Sequence, residues 1–189
     1  MDYNELIKNR RSIRDYKDQP VSIDILKEIV KESTLAPTSG NGQPWEFVIV
    51  NNRDMIKRIS DESKKNLVAR IEADPTDYIK KYEGGLRSDK FNVFYNAPAL
   101  IIIGGPQNHK MLLVDCALFA AYVMNAAAVR GLGTCWINLG SDVRDPALRK
   151  ELGMSPDYKI VAPIIIGYPK GIIPPAPKRE EPVILKIVT

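Results

Sequence analysis

The sequence has little of several side chains that carry chemistry. Its 189 residues include one histidine, His109, and two cysteines, Cys116 and Cys135. A single imidazole argues against a His-based metal centre and against a Ser-His-Asp triad. The two cysteines lie in apolar stretches without CxxC spacing, which excludes a disulfide framework and reads as reduced core thiols of a cytoplasmic protein. No pair of carboxylates is spaced for acid–base work. The N-terminal MDYNELIKNRR begins with an acid rather than with a basic stretch leading into an apolar one, so it lacks the form of a secretory signal. Met111–Val129 approaches the length of a membrane span, but Asp115 and Asn125 interrupt it and Arg130 ends it. It reads as a buried helix, not as membrane. Neither an internal repeat nor a low-complexity block divides the chain, and 1–189 is expected to be one domain.

What is present is an ordinary globular balance, 44% apolar and 26% charged residues with a net charge of +4. That small excess points away from nucleic acid and towards a few cations serving a small anion. A short helix is expected over Asp2–Asn9, followed by the extended RRSIRDY. Ser22 reads as the N-cap of a second helix, with Val21 reaching Leu26 as a hydrophobic staple and Ile25, Leu26, Ile29 and Val30 on one face. WEFVIV, ALIIIGG, TCWIN and YKIVAPIIIGYP read as strands. Asp54–Glu72 is a charged helix, Met111–Arg130 the central one, and Asp145-Pro146 opens another. Ala73–Ser88, with Pro75, Gly84 and Gly85, is the least regular segment and a candidate lid. The tail carries Pro174, Pro175, Pro177 and Pro182, which predicts an extended arm ending in a strand, VILKIV.

Four short patterns could carry chemistry. In an extended RRSIR, Arg10, Ser12 and Arg14 share one face, and two guanidiniums beside a hydroxyl suit phosphate. The alternative is a basic turn capping the preceding helix. Pro37-Thr38-Ser39-Gly40-Asn41-Gly42 offers donors and close backbone approach, or is simply a helix–strand loop. GLGTCWINLG contains GxG but does not complete GxGxxG, so a Rossmann dinucleotide site is not read here. Lys178-Arg179 is a cationic pair in the arm, either solubilising or anion-binding.

Taken in order, RRSIRDY, APTSGNGQPWEFVIV, NAPALIIIG, the Asp115 helix running into GLGTCWINLG, and IIIGYPKG…KRE resemble the FMN-dependent nitroreductase family, specifically its short members. The resemblance covers nearly the whole chain. It implies an α+β, nitroreductase-like fold with a central mixed β-sheet flanked by helices, in an intertwined homodimer. Residues 73–88 would be a lid excursion, and residues 170–189 an arm crossing to the partner subunit. It implies FMN, with Arg10, Ser12 and Arg14 on the phosphate and ribityl chain, Arg11 beside them, and Lys178 and Arg179 added from the arm. Pro37, Thr38 and Ser39, with Asn41 nearby, would border the ring from the other subunit. Trp136, Ile137, Asn138 and Leu139 would lie along the ring, with a backbone N–H near its N5. Many members carry a glycine just after the isoleucine, where this chain has Asn138-Leu139.

The function implied is an oxidoreductase that uses NADH or NADPH to reduce nitroaromatic, quinone or similar flat, electron-poor acceptors by a ping-pong hydride mechanism. No acid–base side chain is assigned to catalysis. Tyr78 and Tyr82, four residues apart, would either meet the acceptor or anchor a surface helix. Alternatives on the same scaffold are flavin fragmentation, reductive dehalogenation and non-catalytic flavin binding. A homodimer and a small-molecule acceptor are the partners expected, with no nucleic acid, no membrane and a cytoplasmic location.

Overall fold

A computed structural model describes residues 2–189. The N-terminal helix α1, Tyr3–Asn9, starts at a capping box in which Asp2 accepts the Glu5 N–H and Glu5 returns the bond. The second helix, α2, covers Ile23–Ser33, and the Ser22 side chain accepts from Asp24 N–H as the expected cap. Val21 and Leu26 are both fully buried at the staple positions. Strand β1, Glu46–Val50, leads into the 21-residue α3, Arg53–Ala73. A short α4, Glu83–Leu86, precedes β2, Ala99–Pro106, and the central helix α5, Leu112–Val129. Strand β3, Gly133–Trp136, then α6, Pro146–Glu151, and β4, Tyr158–Gly167, complete the regular elements. Asp145 caps α6 as expected, with its carboxylate accepting the Leu148 N–H at 2.7 Å.

The sheet runs β1-β2-β4-β3, and every neighbouring pair is antiparallel. The expected mixed sheet is therefore corrected to an antiparallel one. The reason lies in the order of the strands. Because β2 and β3 are each antiparallel to β4, they run parallel to each other across α5, as a strand–helix–strand unit requires. However, β4 inserts between them and takes both sets of hydrogen bonds. Parallel pairing survives only as a single bridge, Ser12 to Thr134.

Alternation along β2 and β4 sorts the core into two layers. Leu100, Ile102 and Ile165 face Ile56, Ile59, Leu67 and Ile71 of α3, together with Val93 and Phe94. Ala99, Ile101, Ile103, Ile164 and Ile166 face α2 and α5, where Leu26, Ile29, Cys116, Phe119 and Val123 are buried. At β2 both faces are covered, which is why its sequence is a continuous apolar run. A register shift at Ile103/Gly104 brings Gly104 so close to β4 that a Cβ would lie 2.2 Å from the Lys159 carbonyl. Burial, with Asp115 beside it, pushes the Cys116 thiol up to about 12.

Two expectations are corrected outside the sheet. Ala73–Ser88 is more regular than its Pro and Gly content predicts: Tyr78–Tyr82 forms a 3₁₀ turn capped by Asp77, and α4 follows directly. The half-turns hold because Ile79 and Leu86 are buried, and the nearly buried Lys64 donates to the carbonyls of Ser88 and Phe91 at 2.6 and 2.9 Å. The tail has no regular secondary structure from Gly171 onward and is exposed throughout, and VILKIV forms no strand within the chain. Its backbone finds no ladder partner here, and Leu185 stays 95% exposed.

Candidate functional site

The segment after α1 is pinned to β3. Ile13 N–H donates to the Thr134 carbonyl at 3.0 Å, and Lys17 N–H to Tyr168. Ile13 is buried against Gly133, where any Cβ would come within 2.7 Å of it. Alternation then leaves Ser12 and Arg14 open to solvent. Burial raises the Cys135 thiol, and Arg14, Ser12 and Arg10 counter it. Arg10 and Arg14 nevertheless line different cavities, Arg10 sharing a smaller one with Arg11 and Ile13. Arg11 folds back onto α1. Its guanidinium donates to the Arg10 carbonyl at 2.6 Å and to the Lys8 carbonyl, closing the C-terminal end of α1.

A cavity of about 250 Å³ opens beside this segment, lined by Arg14, Tyr78, Tyr82, Tyr95, Trp136, Ile137, Asn138 and Leu139. Three further stretches of chain meet Arg14 there. The 3₁₀ turn contributes Tyr78 and Tyr82, the end of β3 contributes Trp136–Leu139, and the turn before β2 contributes Tyr95. The chain thus joins Arg14, both tyrosines and the whole Trp136–Leu139 run, which the sequence placed in one site only through the resemblance. Tyr95 was not anticipated, because nothing in the spacing of FNVFYNAP distinguishes its tyrosine from the buried Phe94 before it. Larger clefts lie along α3 and beside β1, but none of the anticipated residues line them.

Two anticipated groups lie elsewhere. Pro37, Thr38, Ser39 and Asn41 lead towards β1, on the opposite edge of the sheet from β3, with β2 and β4 between. That loop is tied down locally. Ser39 N–H donates to the buried Asp115 carboxylate at 3.1 Å, and Gln43 N–H to Thr38 Oγ1 at 3.3 Å. Lys178 and Arg179 are exposed in the C-terminal tail. Among the described residues, no cluster of three His, Cys, Asp or Glu is placed to hold a metal.

The cavity's chemistry is that of a site for a flat ring with an anionic part. Its walls are aromatic, its guanidinium makes no ion pair among the described residues, and no carboxylate lines it. The chain is similar to several known proteins. A protein of Archaeoglobus fulgidus whose name carries the terms NADH dehydrogenase and NAD(P)H nitroreductase is 28% identical over 172 residues, covering 88% of this chain and 84% of its own. Iodotyrosine deiodinase 1 of Rattus norvegicus is 28% identical over 199 residues, covering 95% of this chain and 66% of its own. The crystal structure of a nitroreductase with bound FMN from Bacteroides fragilis superposes with a TM-score of 0.78 at 24% identity, over 100% of this chain and 98% of that one, and so shares the fold. Residues 7–168 match the Nitroreductase family, and the chain, which shares that fold, belongs to it.

Proposed function

We propose that the protein is an FMN-dependent oxidoreductase, working as a homodimer in the cytoplasm, that takes electrons from NADH or NADPH and reduces flat, electron-poor acceptors such as nitroaromatics and quinones. The observation that carries this reading is the cavity joining the unpaired Arg14 to the Trp136–Leu139 run beneath three tyrosines.

The residues present fit FMN. Arg10, Ser12 and Arg14 would hold the phosphorylated chain, since arginine forks match phosphate oxygens and Ser12 and Arg14 are open to solvent beside β3. Trp136 Nε1 is buried without a partner, as is Arg11 Nε. Trp136, Ile137, Asn138 and Leu139 would hold the ring from one side, and Tyr78 and Tyr82 would cover the acceptor. Bound FMN would supply the hydride chemistry, passing two electrons from the nicotinamide to the acceptor. The protein's part is to bind, orient and exclude water, with Arg14 stabilising negative charge next to the cavity.

The homodimer rests on α5 and on what the single chain leaves undone. Val114, Leu118, Tyr122 and Val129 form an exposed apolar stripe on α5, with Val114 51% exposed. Helical spacing puts these residues on one side. A second copy packed there would cover the stripe, bring Pro37, Thr38, Ser39 and Asn41 to the partner's site, and let the arm deliver Lys178 and Arg179. Residues 170–189 would then cross between subunits, and VILKIV would find its ladder on the partner's sheet. On this reading 1–189 is one domain, with 73–88 its lid.

Reductive dehalogenation is the second reading. It is favoured by the ordered 78–86 segment over the cavity and by the deiodinase relative. Purification should give a yellow protein with FMN released on heating. Anaerobic addition of NADH or NADPH should bleach it, and a nitroaromatic or quinone should restore the colour. A colourless protein that takes up no FMN sinks the assignment. Bleaching by dithionite but not by either nicotinamide, with recovery by an iodophenol, favours the second reading.

A further inference from the structure

The guanidinium at the cavity meets an aromatic ring held there against backbone preference. Between Asn92 and Ala97 the chain is fixed from several sides. Val93 N–H donates to Ser60 Oγ at 3.0 Å, Phe94 N–H to Asn92 Oδ1 at 2.8 Å, and Ala97 N–H to the Phe94 carbonyl at 3.0 Å. Val93, Phe94 and Ala97 are buried. Within this turn Tyr95 and Asn96 take φ of 54° and 52°, a left-handed pair without glycine. Residues with a Cβ avoid that region, and such outliers gather where a site needs them. Here the reversal sends Phe94 into the core and Tyr95 out to the cavity. The Tyr95 ring then stands edge-on to Phe91, at 5.9 Å and 89°, and its centroid lies 5.8 Å from Arg14 Cζ. Arg14 has no ion pair and no side-chain hydrogen bond among the described residues.

We propose that Tyr95 is a positioning residue for Arg14. Its ring face steadies the guanidinium at the cavity wall, so that the charge is ready for FMN before the cofactor arrives. This role rests on the proposed FMN site. An arginine side chain free in water would lose its rotamer freedom on binding; one already resting on a ring has lost part of it beforehand. The hydroxyl of Tyr95 has no role in this. The ring face alone is required.

The test is FMN titration of the full-length chain stripped of cofactor, read by flavin fluorescence, with the melting temperature of each variant measured alongside. Glycine adopts positive φ without strain, so Tyr95→Gly removes the ring and leaves the turn intact, and Tyr95→Asn does the same with a residue that tolerates this region. Both should raise the dissociation constant for FMN roughly 3- to 10-fold, the size of a cation–π contact, without lowering the melting temperature. Tyr95→Phe should bind as the parent does. Arg14→Ala alone should weaken binding about 10- to 100-fold, as for a hydrogen bond to a charged group. In the Arg14→Ala background, Tyr95→Gly should then change nothing further. If Tyr95→Gly and Tyr95→Asn weaken FMN equally with and without Arg14, or have no effect with Arg14 present, the positioning role is overturned while the FMN site stands. If the parent takes up no FMN, or Arg14→Ala binds it unchanged, the cofactor assignment fails first and this role falls with it.

Discussion

The Phe94 ring lies so close over Gly140 that a Cβ at position 140 would stand 2.2 Å from Phe94 Cε1 and 2.4 Å from Cζ. This contact joins the turn that presents Tyr95 to the 3₁₀ turn Asn138–Gly140 that follows the cavity wall. The two sides of the cavity are thus packed onto each other beneath its floor. Gly140→Ala should cost about 1–3 kcal/mol of stability through overpacking. It should also weaken FMN binding, because both walls must shift. Chemical denaturation and cofactor titration check this. Unchanged stability would mean that Phe94 can move aside without cost.

The acid response should centre on Glu62. Its side chain is only 10% exposed. Burial raises its pKa, but hydrogen bonds from Asn66, the Asp145 N–H and Lys65 outweigh that and hold it below the usual carboxylate range. A depressed folded pKa gives stability that is present above the unfolded value, about 4.3 for glutamate, and lost as pH falls through the folded one. Melting temperature should therefore decline below about pH 4.3 more steeply in the parent than in Glu62→Gln. Parallel curves for the two proteins would remove Glu62 from the acid transition.

Removing the arm should expose the dimer's dependence on it. Truncation before Pro174 deletes Lys178, Arg179 and VILKIV, all exposed in the single chain. If they complete a partner's site and sheet, the product should be poorly soluble and free of flavin. Obligate interfaces bury several thousand Å² and resemble a divided core. A soluble, yellow monomer by light scattering would refute the crossing arm.

Tyr78 and Tyr82 separate covering from anchoring. They are 64% and 42% exposed, while their neighbour Ile79 is buried and holds the turn. Tyr78→Ala and Tyr82→Ala should therefore change acceptor reduction to different degrees for different acceptors. FMN content and melting temperature should barely move. A uniform loss across acceptors accompanied by lower stability would make both tyrosines structural. Stopped-flow measurement of the oxidative half-reaction supplies the comparison.

Much of this architecture is determined locally, and that part is legible in the sequence. The Ser22 and Asp145 caps act within one turn of their helices. The Leu26 and Ile29 face follows from a period of 3.6, and the unbroken apolar run of β2 from burial on both sides. The alternation that frees Ser12 and Arg14 while burying Ile13 is equally local, since successive side chains on an extended segment must point apart. Other outcomes depend on what lies across from a residue, which no short pattern encodes. Nothing near YKIVAPIIIG says that it will insert between β2 and β3 and make the sheet antiparallel. VILKIV has the composition of a strand, but a strand exists only where another backbone accepts its hydrogen bonds. Arg11 and Arg14 are chemically alike, and only the carbonyls at the end of α1 draw the first away from the cavity that the second lines. Phe94 and Tyr95 are adjacent aromatics of similar size. The tertiary structure sends one into the core and the other out over Arg14, because the turn that Asn92 starts locally is closed by Ser60 and Gly140, residues distant in sequence whose purpose shows only once the chain is folded.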